Sequence, residues 1–372
     1  MQALERWQPP RSSRMTPAED TISLTLAAWL VLGIFLDGWA HNTGTLVETF
    51  FTPWHAALYS GFAASASWIG YSIWRRRVAG GSWRAAVPAG YLPALTGVVI
   101  FLVSGAGDIT WHLLFGIERG VGALLSPTHL GLFAGGLLVV TAPLRAAWTD
   151  PDRLEDARFV DLLPAIGSAT LAGCLSIFIL QEFAQLRDNA FVTVGTALGI
   201  SFIRPIGDLT FTLNVEAGIA AFIVGSLTLF VPILLLARRF RVSAPMAATV
   251  IGVQVILLQA LQGFNDPGLL ALGLVGTAAV CLVVAVIKPA PSRRWALLAF
   301  AGSSPPLLWG VFLLGVALHD HGLGWKPELW GGGLAWSALS VLAVAWALTA
   351  APVLHPAHGK PLPLGFVPEA GA

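Results

Sequence analysis

Apolar residues run through this chain in long unbroken stretches, not in the alternation of a half-buried strand or the single stripe of a surface helix. A helix needs about 20 mostly apolar residues to cross bilayer hydrocarbon. Ten segments meet that requirement: 21–41, 55–74, 89–113, 127–144, 160–183, 213–237, 243–263, 267–288, 295–318 and 330–352. Backbone groups left unpaired in lipid are too costly for open sheet, so these runs must be helices. The pattern predicts an all-α polytopic transmembrane helical bundle of about ten spans. Residues 1–20 and the Pro-rich 353–372 read as short tails around one transmembrane domain, 21–352. The first run starts too late, and too many others follow it, for a cleaved signal peptide.

Composition sharpens this reading. The chain is 56% hydrophobic and only 11% charged, where soluble domains carry about a quarter charged residues. A formal charge of +1 argues against a nucleic-acid partner, which would require a basic surface; the partner expected is the lipid bilayer. The positive charges also orient the chain. Arg6, Arg11 and Arg14 precede the first span, and Arg75, Arg76 and Arg77 follow the second. Arg145 and Arg153 follow the fourth, Arg238, Arg239 and Arg241 the sixth, and Lys288, Arg293 and Arg294 the eighth. With ten spans all of these fall on one side, which the positive-inside rule makes cytoplasmic, together with both termini. Cys174 and Cys281 lie apart in apolar runs and suggest no disulfide framework. Fifteen tryptophans fit an interfacial belt.

The candidate chemistry lies in a duplication. One stretch reads Asp37-Gly-Trp-Ala-His41, then Glu48, then Thr52-Pro53-Trp54-His55-Ala-Ala-Leu58-Tyr59-Ser-Gly61. A second reads Asp108-Ile-Thr-Trp111-His112, then Glu118, then Ser126-Pro127-Thr128-His129-Leu-Gly-Leu132-Phe133-Ala-Gly135. Asp37 and His41 recur 71 residues later, and His55, Leu58 and Gly61 recur 74 residues later, so one loop carries three extra residues. Repeats of this kind organise many membrane folds. The repeat units are hairpins over about 21–74 and 89–144.

Asp and His four apart share one helical face. Thr52-Pro53 and Ser126-Pro127 have the form of an N-cap followed by proline at N1, which puts His55 and His129 in the first turn of the returning helix. Each hairpin then gathers one carboxylate and two imidazoles near the outer boundary, a ligand set for copper, zinc or non-haem iron. Isolated histidines at span ends are commonly structural, but here six ligand-type residues are copied together, and ionisable clusters in membranes point to function. The predicted metal ligands are Asp37, His41, His55, Asp108, His112 and His129. Glu48 and Glu118 read either as acceptors of a hydrogen bond from a ligating imidazole or as simple loop charges.

Asp108-x-x-Trp111-His112 and Glu48-Thr49-Phe-Phe-Thr52-Pro53-Trp54-His55 resemble the two halves of a signature in the C subunit of copper membrane monooxygenases, the particulate methane and ammonia enzymes. The matched motifs cover 37–61 and 108–135. The resemblance implies copper at Asp37, His41 and His55 and at Asp108, His112 and His129, with monooxygenase-like oxidative chemistry as the activity. It also implies partner membrane subunits; a homo-oligomer is the other assembly considered. The family pairs an Asp-His-His site with an Asn-His-His site, whereas this chain has Asp in both repeats.

Three readings follow: a copper protein that is oxidative or handles copper, an ion- or proton-coupled transporter using the Asp and His residues as a relay, and a haem protein with paired axial histidines. The last leaves the aspartates without a role. His319-Asp320-His321 reads as a polar loop, with added ligands as the alternative, and His355 and His358 fall in the C-terminal tail. Glu182 or Glu216 paired with Arg204 would keep charge within the bundle; a proton or substrate path is the second reading of these residues. Gln259, Gln262, Asn265 and Asp266 are placed for hydrogen bonds between helices. No Walker loop, GxGxxG turn, HExxH or GxSxG elbow occurs, which leaves nucleotide-driven transport and common hydrolase chemistries without a motif.

Overall fold

The computed structural model describes residues 14–44, 51–79, 82–116, 121–197 and 209–350. The described residues are helical with no strand beyond an isolated bridge between Ala290 and Arg293. Each of the ten predicted segments holds one long helix: α1 (Pro17–Asn42), α2 (Pro53–Val78), α3 (Leu92–Phe115), α4 (Pro127–Val140), α5 (Leu163–Ile179), α6 (Leu209–Ala237), α7 (Ala244–Ala260), α8 (Pro267–Ile287), α9 (Arg294–His319) and α10 (Pro327–Ala350). Helix continues past α4 through Ala142–Thr149. Eight of the spans are long and apolar enough to cross a membrane; α2 is less apolar and α7, at 17 residues, is shorter. The chain is an all-α membrane bundle.

One boundary differs from the sequence reading. Residues 17–20 belong to α1, not to a polar tail. Thr16 caps the helix through a hydrogen bond from Glu19 N, while the Glu19 carboxylate accepts from Thr16 N at 2.7 Å, a reciprocal capping box. Glu19 also pairs with Arg75 and, at 3.0 Å, with Arg76. Asp20 is buried and accepts from the Tyr91 hydroxyl at 2.7 Å.

Helices α1 and α2 pack as one hairpin and α3 and α4 as another, and the two packings are copies of each other. A Cβ on Gly61 would lie 2.6 Å from Leu30 N, and one on Gly135 would lie 2.7 Å from Phe101 N. Gly61 and Gly135 are 74 apart, Leu30 and Phe101 are 71 apart, and in each hairpin only glycine lets the two backbones approach so closely. The hairpins meet over a small core of Leu30, Leu58, Phe62, Phe101 and Leu132. Phe62 and Phe101 stack there with centroids 4.3 Å apart. Helix α5 is the most deeply buried span and links α1 and α4 to α6 and α7 in the larger core.

The segments carrying the predicted cytoplasmic arginines converge at one end of the bundle. Arg14 pairs with Asp150 at 3.0 Å, and Arg239 donates to the carbonyls of Asp150 and Arg153 at 2.9 and 2.7 Å. The duplicated motifs lie at the other end. Glu19 and Asp37 are 18 residues apart on α1, which is about 27 Å of helix.

Candidate metal centre

Each hairpin builds its site by the same local rules. In α1 and α3, Asp37 and His41, and Asp108 and His112, occupy successive turns of one face near the C-terminal end. Helices α2 and α4 start with Thr52 and Ser126 as N-caps, accepting from His55 N at 3.1 Å and His129 N at 3.3 Å. The cap fixes the first turn, and the first turn fixes the direction of the imidazole at N3.

The predicted ligands come together in both repeats. Asp37 Oδ1 lies 3.4 Å from His55 Nε2, and Asp37 Oδ2 lies 3.8 Å from His41 Nε2. Asp108 Oδ1 lies 3.4 Å from His129 Nε2, and Asp108 Oδ2 lies 3.5 Å from His112 Nε2. Within each triad one donor atom from every residue lies within 4.8 Å of the other two. Three ligands held tetrahedrally at about 2.0–2.1 Å from an ion stand about 3.4 Å apart. The carboxylate–imidazole separations, taken to one or the other oxygen of each aspartate, are 3.4–3.8 Å.

Proton positions in the second triad follow from its hydrogen bonds. His112 Nδ1 lies 3.3 Å from the Gly116 carbonyl, which only accepts, so Nδ1 is the donor in that bond. The Asp108 carboxylate likewise only accepts, so the Thr128 hydroxyl gives its proton to Oδ1 at 2.8 Å. Ser126 Oγ, 3.1 Å from Thr128 Oγ1, then donates to Thr128. Ser126 must therefore accept from His129 Nδ1 at 2.8 Å. Neutral imidazoles with those protons would turn two Nε2 lone pairs toward the Asp108 carboxylate, a donor set that a cation takes. In the first triad Asp37 Oδ1 is buried and accepts no hydrogen bond among the described residues. The residues fit a metal ion.

Both triads line a single cavity of about 130 Å³. Leu58, Tyr59, Phe101 and Leu132 form its apolar inner wall, Leu175, Phe178 and Ile179 of α5 one side, and Asn42, Gln181 and Glu182 part of its polar lining. Asn42 donates to the Gln181 side chain at 2.8 Å, which ties the end of α1 to the segment after α5. Tyr59 crosses from α2 toward α3, where the lack of a side chain on Gly105 leaves room for its ring, and it lies within electrostatic reach of both Asp37 and Asp108. The counterpart of Tyr59 in the other repeat is Phe133. Neither Tyr59 nor the Thr128 hydroxyl stood out as functional in the sequence; a polar residue in one repeat facing an apolar one in the other is the signal that marks both.

Other sequence candidates resolve differently. Glu48 and Glu118, with Arg204, His355 and His358, lie outside the described residues. Glu182 pairs with Arg187 at 2.7 Å, and Glu216 is exposed. The His319 side chain is 86% exposed at the end of α9 and, among the described residues, joins no metal-type group. Gln259 donates to the Leu186 carbonyl between elements, and Asp266 caps α8 by accepting from Leu269 N at 2.8 Å. Comparison with family models, curated proteins and solved structures gives no match to the chain.

Proposed function

We propose that this chain is an integral membrane copper protein that holds two ions in one apolar cavity, each through one aspartate and two histidines, and supports oxidative chemistry there. The observation that carries the proposal is the convergence of both Asp-His-His triads, donor atoms inward, on one shared cavity. Copper is favoured over zinc or iron because nitrogen-rich sites bind it most tightly among divalent first-row metals, and because of the motif resemblance. When bound, copper would supply the redox chemistry. The chain's own residues hold the ions, keep an apolar space beside them and set a single phenol, Tyr59, between the two triads.

Orientation belongs to the same proposal. The arginine-rich end faces the cytoplasm by the positive-inside rule, so the cavity lies toward the exterior. A relay for transport would call for ligands near mid-membrane, whereas these triads occupy terminal helical turns. Copper titration of detergent-purified protein tests the reading. The chain takes up two equivalents, His55→Ala and His129→Ala each take up one, and the double variant takes up none. Wild-type protein that retains no copper, or variants that bind as wild type does, would overturn it.

A further inference from the structure

The two triads share ligands and fold but differ in what braces them. In the second repeat, the position before His129 is Thr128, whose hydroxyl donates to Asp108 Oδ1 at 2.8 Å, and whose methyl lies 3.5 Å from where a Cβ on Gly107 would stand. In the first repeat the equivalent pair is Trp54 and Leu36. Trp54 carries no hydroxyl; it packs edge-on against Trp39 with centroids 5.7 Å apart. Asp37 Oδ1 therefore lacks the donor that holds Asp108. Exposure follows the same division, at 2% for the Asp108 side chain and 16% for that of Asp37.

We infer that the two sites exchange metal at unequal rates, the Asp108–His112–His129 site slowly and the Asp37–His41–His55 site quickly, with Thr128 as the positioning residue responsible. This rests on the metal-binding reading above and goes beyond it. For an ion to leave, the carboxylate must swing off it and water or a competing ligand must enter. At Asp108 the swing breaks the Thr128 bond of a carboxylate that is almost wholly buried. At Asp37 no such bond to Oδ1 opposes it among the described residues, and the side chain as a whole is more exposed. The bare Asp37 oxygen attracts a cation strongly, but attraction alone does not slow release from a carboxylate that is free to turn. Outer hydrogen-bond partners of metal ligands are commonly worth 10–100-fold in affinity, and a rate difference of about that size is expected here.

The experiment is a chelator challenge of the full-length copper-loaded protein in detergent, following copper loss with time. Wild type loses one equivalent quickly and the other at least about tenfold more slowly. His55→Ala removes the fast phase and His129→Ala the slow one. Thr128→Val, which keeps the shape and loses the hydroxyl, moves the slow phase toward the fast one, and Thr128→Ser restores it. Release of both ions in one phase, or the opposite assignment of phases to the two histidines, overturns the inference while leaving two-site binding intact. If Thr128→Val does not fold, the phase assignment from the histidine variants still decides it. Protein that never binds copper would instead refute the function proposed above.

Discussion

Thr52 and Ser126 show how much of this site is set by single residues. A hydroxyl at the N-cap accepts the amide at N3, and because that amide belongs to a histidine, one hydrogen bond sets both the helix start and the imidazole direction. The consequence for metal binding is a definite pH dependence. An imidazole must shed its proton to bind metal and in water titrates near pH 6.5, so protons compete harder as pH falls. Copper affinity measured at pH 7.5 and at pH 5 therefore drops on acidification by at least about tenfold. Equal affinity at the two values would contradict histidine ligation. Tyr59 supplies a second residue-level test. Tyr59→Phe puts in the first repeat the residue type that already stands at position 133, so copper stoichiometry should stay at the wild-type value. Loss of an ion on that change would make the phenol a ligand.

At the scale of the element, the close approach of α1 to α2 is what brings His55 to Asp37. Gly61→Ala would force a methyl to within 2.6 Å of the Leu30 backbone, which cannot rotate away as a side chain can. The helices must then part, at a cost of about 1–3 kcal/mol for overpacking. Thermal unfolding should show that loss, accompanied by weakened copper binding in the first repeat. Gly70→Ala in the same helix meets nothing within 4 Å and serves as the control, neutral or slightly stabilising. Equal effects of the two changes would show that the approach at Gly61 does not hold the hairpin. These elements were legible in the sequence because their causes are local: an i, i+4 pair, a Ser/Thr-Pro cap and a repeat offset of 71 or 74. The start of α1 was equally local, since Thr16-Pro17-Ala18-Glu19 is a capping box, but its two acidic residues gave it the look of a tail. Burial of Glu19 and Asp20 depends on Arg75, Arg76 and Tyr91, partners far away in sequence.

For the whole molecule, the sequence pointed to two sites and did not reveal that they share a cavity. That arrangement depends on how one hairpin meets the other, through the Phe62–Phe101 stack and the fit of Tyr59 at Gly105. No spacing within either motif encodes those contacts. Likewise, Glu182 meets Arg187 five residues on, because the chain turns sharply after α5. The bundle keeps its arginine cluster and its triads at opposite ends, so orientation is testable with one pair of labels. Single cysteines at Arg77 and Phe51, in a background without Cys174 and Cys281, should react with an impermeant thiol reagent from the cytoplasmic and exterior sides respectively. Reaction of both from one side would refute the ten-span arrangement.

Counting copper atoms per chain is the most direct test of the account. Elemental analysis of detergent-purified protein supplied with copper should give two per chain for the wild type and one for either Asp37→Asn or Asp108→Asn, with almost none when both are changed. A wild-type chain without copper, or a doubly changed chain that still carries two ions, would contradict it.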